Sequence, residues 1–237
     1  MARGAVFFDM ANTLLHLDGE AVARQVAAVG GRRVEPREVR RAEAEVRKQG
    51  WPQRSWPGFD RRARPTLDLL AETGRRLGLD EEAARGLAAA LWREMVQRRE
   101  SLWSRPDPDA PALLPRLRAA GFRLGVISNA DRHAHALLEK SGLAPELELI
   151  LTSEEAGVEK PDPAIFLQAL ERMRVRPEEA VYVGDQLEVD VQGAQAAGLA
   201  AFLYDAWDLW PEAPVVRLHR LGELADHLGL AEPPAGA

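Results

Sequence analysis

Cysteine is absent from this 237-residue chain, which removes disulfides, thiolate-bound zinc and a thiol nucleophile from the chemistry open to it. Lysine is nearly absent, standing only at positions 48, 140 and 160 among 31 basic residues. Nor is there a surplus of positive charge: 37 acidic residues leave a formal charge of -6, so no overall field gathers nucleic acid or an anionic membrane. No apolar run is long enough to cross a bilayer, and Ala5-Val6-Phe7-Phe8 is also too short for the apolar region of a secretion signal. A cytoplasmic protein is expected, one that binds neither nucleic acid nor membrane. Internal repeats and low-complexity blocks are lacking as well.

What is present suits a globular chain, with 46% hydrophobic and 29% charged residues, a balance that can offset chain entropy by burial. This length accommodates a core domain and one modest insert.

The run from Ala5 to Asp9 reads as a buried first strand with an acid at its carboxyl end. From about Glu20 to Trp103 the pattern is helical, with Ala-, Arg- and Glu-rich segments at 20–29, 36–49, 62–78 and 80–103, interrupted between Trp51 and Pro57, and no strand is expected there. After Arg105-Pro106-Asp107-Pro108-Asp109 short apolar strands alternate with helices. The strands are expected at 124–127, 147–151, 180–183 and 200–203, and the helices near 110–120, 131–141, 163–173 and 190–197. A last helix near 220–229 precedes Pro233-Pro234-Ala235-Gly236-Ala237, a tail expected to fray. The alternation predicts an α/β fold, a doubly wound parallel sheet with helices on both faces, interrupted by an all-helical insertion. The core comprises 1–14 and 106–237, the insertion 15–105.

Four separated signals end a strand or open a helix: Asp9-Met10-Ala11-Asn12-Thr13, Ser128-Asn129, Lys160-Pro161, and Gly184-Asp185 with Asp190 five residues on. In a parallel sheet such ends converge on one crevice. An acid nucleophile, hydroxyls, a cation and further carboxylates suit the transfer of an anionic group. Taken singly each has a plainer explanation: Asp190 or Ser128 as a helix cap, Lys160 as a solvated loop cation.

In order and spacing these segments resemble the signature motifs of the haloacid dehalogenase superfamily, with a helical cap inserted between the first and second. The resemblance implies a hydrolase, most simply a Mg²⁺-dependent phosphatase of a small phosphorylated molecule. It casts Asp9 as the nucleophile that becomes an aspartyl phosphate and Lys160 as the cation between nucleophile and transferred group. Thr13, Ser128 and the Asn129 amide would donate to phosphoryl oxygens. Asp9, Asp185, the carbonyl of Ala11 and Asp190, the last through water or by orienting its neighbours, would serve the metal.

One position departs from the pattern. Phosphatases of the superfamily usually carry a second Asp two residues after the nucleophile as general acid, and here Ala11 stands there. A carbonyl survives the replacement, so the metal site is expected to be spared and only acid-base help lost. His16, Asp18 or a cap residue are the candidates for a substitute acid. Asn12, at a turn where Gly is more usual, tolerates a positive φ.

Ala at this position also occurs in phosphonoacetaldehyde hydrolases, where a cap lysine forms a Schiff base, and Lys48 is the one lysine in this insertion. Haloacid dehalogenases normally place Tyr there and work without metal. A non-catalytic phosphate- or partner-binding protein is the remaining alternative. In the insertion, Trp51, Arg54, Trp56 and Phe59 combine aromatic surface with a cation and are expected to pack between helices.

Overall fold

The computed structural model describes residues 4–50, 57, 63–98 and 100–230. Trp51, Arg54, Trp56 and Phe59 and the 233–237 tail lie outside the described residues. The chain divides into two compact units, one formed by residues up to Leu15 and from Arg105 onward, the other by His16–Ser104.

The strands are β1 (Ala5–Phe8), β2 (Leu15–Leu17), β3 (Trp103–Pro106), β4 (Arg123–Ser128), β5 (Leu149–Thr152), β6 (Ala180–Gly184), β7 (Ala200–Tyr204) and β8 (Arg217–Leu218). The helices are α1 (Gly19–Gly30), α2 (Pro36–Gln49), α3 (Arg64–Arg76), α4 (Glu81–Arg98), α5 (Ala110–Ala119), α6 (His133–Lys140), α7 (Ser153–Ala156), α8 (Pro163–Met173), α9 (Gly193–Ala196) and α10 (Leu224–His227).

In the first unit six strands form one parallel sheet in the order β5-β4-β1-β6-β7-β8. Two-residue periodicity divides β1 between the faces. Val6 and Phe8 pack with Leu113, Leu117 and Leu138 of α5 and α6, while Ala5 and Phe7 pack with Phe166, Leu170 and Met173 of α8. Gly125 of β4 supplies space for that second layer, because a Cβ there would stand 2.9 Å from the Phe7 ring and 3.2 Å from the Met173 sulfur. With both faces covered, reactive groups emerge at the strand ends. Because all six strands run the same way, those carboxyl ends share one edge.

The second unit packs α1–α4 around Val22, Val26, Val39, Leu67, Leu70, Leu87 and Leu91. Its helix ends follow local chemistry. The Asp18 carboxylate accepts from Ala21 N at 3.0 Å to cap α1, and Gly31 takes the left-handed turn that closes it, its N–H bonded to Ala27 O. Pro36 opens α2 while Glu38 reaches back to the N–H of Glu35 at 2.7 Å. No helix among the described residues is long and apolar enough to cross a membrane.

The structure departs from the sequence pattern at several places, among them the unexpected strands β2 and β8 and a π-helical turn over Leu187–Gln192 where the helix near 190–197 is expected. The helix expected over 80–103 stops at Arg98, and Trp103 begins a strand paired in a separate two-stranded sheet with β2. The Ser101 hydroxyl accepts from Trp103 N at 3.1 Å, a local bond that competes with continued helix. The strand expected to begin at 147 begins at Leu149, because Ala144–Glu146 form a 3₁₀ turn closed by Leu147 N donating to Ala144 O. The last helix is a 3₁₀ turn followed by one turn of α-helix, with Gly222 N diverted to Asp109.

Candidate active site

Asp9 leaves β1 with its N–H donating to Val183 O at 2.8 Å, so the neighbouring strand β6 fixes where the carboxylate begins. A tight turn follows: the N–H groups of Leu14 and Leu15 both donate to Met10 O, and Asn12 N donates to Leu15 O at 2.7 Å. The turn requires a left-handed residue, and Asn12 occupies it at φ 64°. Met10, Leu14 and Leu15 anchor it in the core. Asp9 is 4% exposed.

Lys160 reaches this carboxylate from the loop before α8. Its ammonium, 2% exposed, donates to Asp9 Oδ1 at 2.6 Å, to Asp190 Oδ1 at 2.6 Å and to the Tyr182 hydroxyl at 2.9 Å. Three acceptors match the three N–H bonds of an ammonium. Burial opposes the charge, but Asp190 and Asp9 outweigh it and hold the lysine above its ordinary range. The main chain of Lys160 is held as firmly. The Asn129 carboxamide donates to Lys160 O at 2.9 Å and accepts from Lys160 N at 2.8 Å.

Asp190 sits within a π-helical turn, Leu187–Gln192, completely buried. Its second oxygen accepts from Gln186 N at 3.0 Å. It does not cap a helix. Asp190 approaches β6 so closely that a Cβ on Gly184 would lie 2.4 Å from its carboxyl carbon. The Gly in Gly184-Asp185 is therefore the space that Asp190 occupies. Asp185, half-buried, follows directly, and Asp9, Asp185 and Asp190 bring carboxylate oxygens within 4.8 Å of one another.

Thr13 and Ser128 are buried. Ser128 ends β4 and makes no side-chain cap on α6. The Thr13 hydroxyl is fully buried with no hydrogen-bond partner among the described residues, an arrangement that costs about 1–3 kcal/mol unless a ligand supplies the partner. The carboxamide of Asn129 is committed to the main chain of Lys160. Ala11 contributes only a methyl side chain. Of the substitute acids, Asp18 spends one carboxylate oxygen capping α1 and His16 is partly buried; Lys48, the candidate Schiff-base lysine, is exposed on α2.

Tyr182 was not singled out by the sequence, although a hydroxyl in a strand of Ala and Val needs a buried partner. It faces the same layer as its register partner Phe7. Burial first, then Asp190 and Asp9, push its phenol well above the usual tyrosine range, so it stays a hydroxyl at physiological pH. Asp205, another buried carboxylate, follows β7. It accepts from Leu209 N, Trp210 N and Arg217, bonds that brace the loop after the strand.

Lys160 brings one positive charge to a cluster of three carboxylates, a hard oxygen donor set with negative charge in excess. That chemistry fits a divalent cation of the Mg²⁺ type.

Comparison with known proteins gives the chain a family and relatives. Residues 4–198 match the haloacid dehalogenase-like hydrolase family. A glyceraldehyde 3-phosphate phosphatase of Methanopyrus kandleri is 39% identical over 135 residues, 56% of this chain and 55% of that protein. A phosphoserine phosphatase of Thermus thermophilus is 37% identical over 174 residues, 69% of this chain and 65% of that one. The chain spans about half the length of the curated relatives it matches. Among solved structures, a 2-haloacid dehalogenase of Pseudomonas syringae is 28% identical with a TM-score of 0.56, covering 97% of this chain and 99% of that one. With the matched segment reaching from before Asp9 to beyond Asp190, the chain belongs to the haloacid dehalogenase-like hydrolase family.

Proposed function

We propose that this hydrolase is a magnesium-dependent phosphatase of a small phosphorylated molecule, working through a phosphorylated Asp9. The observation that carries the reading is the buried contact of Lys160 with Asp9 at 2.6 Å beside Asp185 and Asp190. The Thr13 hydroxyl, without a partner among the described residues, supports it, as do relatives described as phosphatases. The chemistry belongs to 1–14 and 106–237, and the helical segment 15–105 plays the part of a cap.

The Asp9 carboxylate attacks phosphorus; its O–P bond forms as the bond to the leaving oxygen breaks. Thr13, Ser128 and the Asn129 main-chain N–H hold the phosphoryl oxygens, and Lys160 keeps Asp9 ionised and in place. Mg²⁺, held by Asp9, Asp185 and the Ala11 carbonyl with Asp190 behind them, would screen the repulsion between carboxylate and phosphate and polarise the phosphoryl group. Ala11 has no proton to give, so the leaving oxygen departs as an anion protonated by solvent. Water then attacks phosphorus, releases inorganic phosphate and restores Asp9.

A panel of phosphomonoesters, acyl phosphates and phosphonates with Mg²⁺, run beside Asp9→Asn, tests this. Aryl and acyl phosphates should turn over faster than alkyl esters, and none should in the variant. Activity that persists in Asp9→Asn sinks the reading, as does a panel without any turnover. The likeness to a 2-haloacid dehalogenase favours one second reading: chloride released from 2-chloropropionate in EDTA would replace the phosphatase with a dehalogenase. Lys48 is exposed, unlike the desolvated amine that Schiff-base chemistry needs.

A further inference from the structure

We propose that Tyr182 is a positioning residue whose hydroxyl locks the Lys160 ammonium in register with Asp9. Two of the three acceptors around that ammonium are charged groups of the site itself. Asp9 changes charge when it takes up a phosphoryl group, so the bond that holds Lys160 from that side weakens during turnover. The Tyr182 hydroxyl, 2.9 Å away, takes no part in the chemistry and does not weaken.

Several features mark the hydroxyl as more than packing. The ring already meets Phe166 edge to face, with centroids 5.1 Å apart and planes at 79°, an arrangement that Phe would reproduce. Yet the fully buried oxygen lies 3.0 Å from Asp190 Oδ1 and 3.1 Å from Ile127 O. While accepting from Lys160 it has one proton to give, to Asp190 or to the carbonyl of Ile127. Both alternatives fix its orientation. With Asn129 holding the main chain of Lys160, the lysine is secured at both ends, and Tyr182 is the uncharged half of the grip on its tip. The grip of Tyr182 on Lys160 does not depend on the phosphatase reading; only its effect on turnover rests on that reading.

The chain has three lysines, and Lys48 and Lys140 are exposed. Lysine-selective ¹⁵N labelling therefore lets the Lys160 ammonium be observed alone at neutral pH, assigned by its loss in Lys160→Met. In Tyr182→Phe the ammonium resonance should move and its exchange with water should quicken about tenfold, as expected for one lost hydrogen bond. Phe166→Leu, which disturbs the same ring packing without touching the hydroxyl, should leave both unchanged. With p-nitrophenyl phosphate and Mg²⁺, Tyr182→Phe should lower kcat about tenfold with KM within about twofold.

An unmoved resonance with unaltered exchange in Tyr182→Phe overturns the proposal, and so does an equal effect from Phe166→Leu. If Tyr182→Phe does not fold, 3-fluorotyrosine, incorporated at the two tyrosines, weakens the hydroxyl as an acceptor. It must then shift the Lys160 resonance, and no shift overturns the proposal equally. An ammonium that responds as stated in a protein without phosphatase turnover refutes the phosphatase reading and leaves the role of Tyr182 standing.

Discussion

Asn129 binds both main-chain polar groups of Lys160, N–H at 2.8 Å and C=O at 2.9 Å, across 31 residues of sequence. The contact ties the end of β4 to the loop that carries the cation. Asn129→Ala leaves two polar groups of a buried residue unpaired, each worth about 1–1.5 kcal/mol. Urea unfolding should show a loss of about 2–3 kcal/mol, and turnover should fall further than the lost stability explains because Lys160 is released. An unfolding curve matching the parent protein would mean that the clamp is dispensable.

Gly184 and Gly86 make opposite predictions from the same substitution. At Gly184 a methyl group would stand 2.4 Å from the Asp190 carboxyl carbon and 2.6 Å from Oδ2, and Asp190 is tethered to Gln186, Lys160 and Tyr182. Gly184→Ala should cost about 1–3 kcal/mol and raise the Mg²⁺ concentration needed for half-maximal turnover. At Gly86, exposed in α4, a methyl would meet nothing. Gly86→Ala should stabilise by about 0.5–1 kcal/mol and leave turnover alone. Thermal unfolding and a Mg²⁺ titration on both variants decide the matter.

These contacts also mark how far the chain could be read in advance. The parallel sheet was legible because Ala5–Phe8 and Ala180–Gly184 are short apolar runs that end in Asp, a pattern which places buried strand and reactive group together. Asp9, Lys160, Asp185 and Asp190, each at or just after a strand end or in the segment that follows one, lie in one cluster. The partner of Asn129 was not legible: the pairing is between a side chain and a distant main chain, and no periodicity encodes it. Tyr182 was hidden for a related reason, since an aromatic in a buried strand looks like packing until its hydroxyl is placed. The pairing of Trp103 in a strand was missed because helix propensity runs on through Arg98 and the stop depends on Ser101 and on pairing with a strand far away in sequence.

Asp109 accepts from Arg220 at 2.8 Å and from Gly222 N at 3.0 Å, joining the start of α5 to the C-terminal segment. The Arg220 hydrogen bond, helped by Gly222 and opposed by partial burial, lowers the carboxyl below its ordinary value. A folded-state pKa below the unfolded one contributes stability that is present above the unfolded value of about 4 and drains away as pH falls through the lowered one. Asp109→Asn should therefore destabilise by about 1 kcal/mol near neutrality, and the two proteins should converge at lower pH. Melting curves from neutrality down through the carboxylate range check the sign; a difference that widens on acidification contradicts it.

Ala11 is the position where the proposed phosphatase chemistry is most open to test. It is partly exposed, so a carboxylate can be introduced there without being fully desolvated, and the main-chain bonds that join Met10, Asn12, Leu14 and Leu15 in the neighbouring turn do not involve its side chain. A positioned acid contributes about 10²–10⁴-fold when the leaving group needs a proton, whereas a nitrophenolate leaves unaided. Ala11→Asp should thus raise turnover of an alkyl monophosphate by up to that factor while changing p-nitrophenyl phosphate much less. A second effect follows from the same side chain: a methyl group at position 11 cannot activate water, so phosphorylated Asp9 should accumulate with acyl phosphates in the parent protein and disappear in the Asp variant. Intact-mass measurement after rapid acid quench separates the two states. Equal gains on alkyl and aryl substrates would show that the new carboxylate acts through the cation site and not as an acid, and no gain on either would show that another group already supplies the proton.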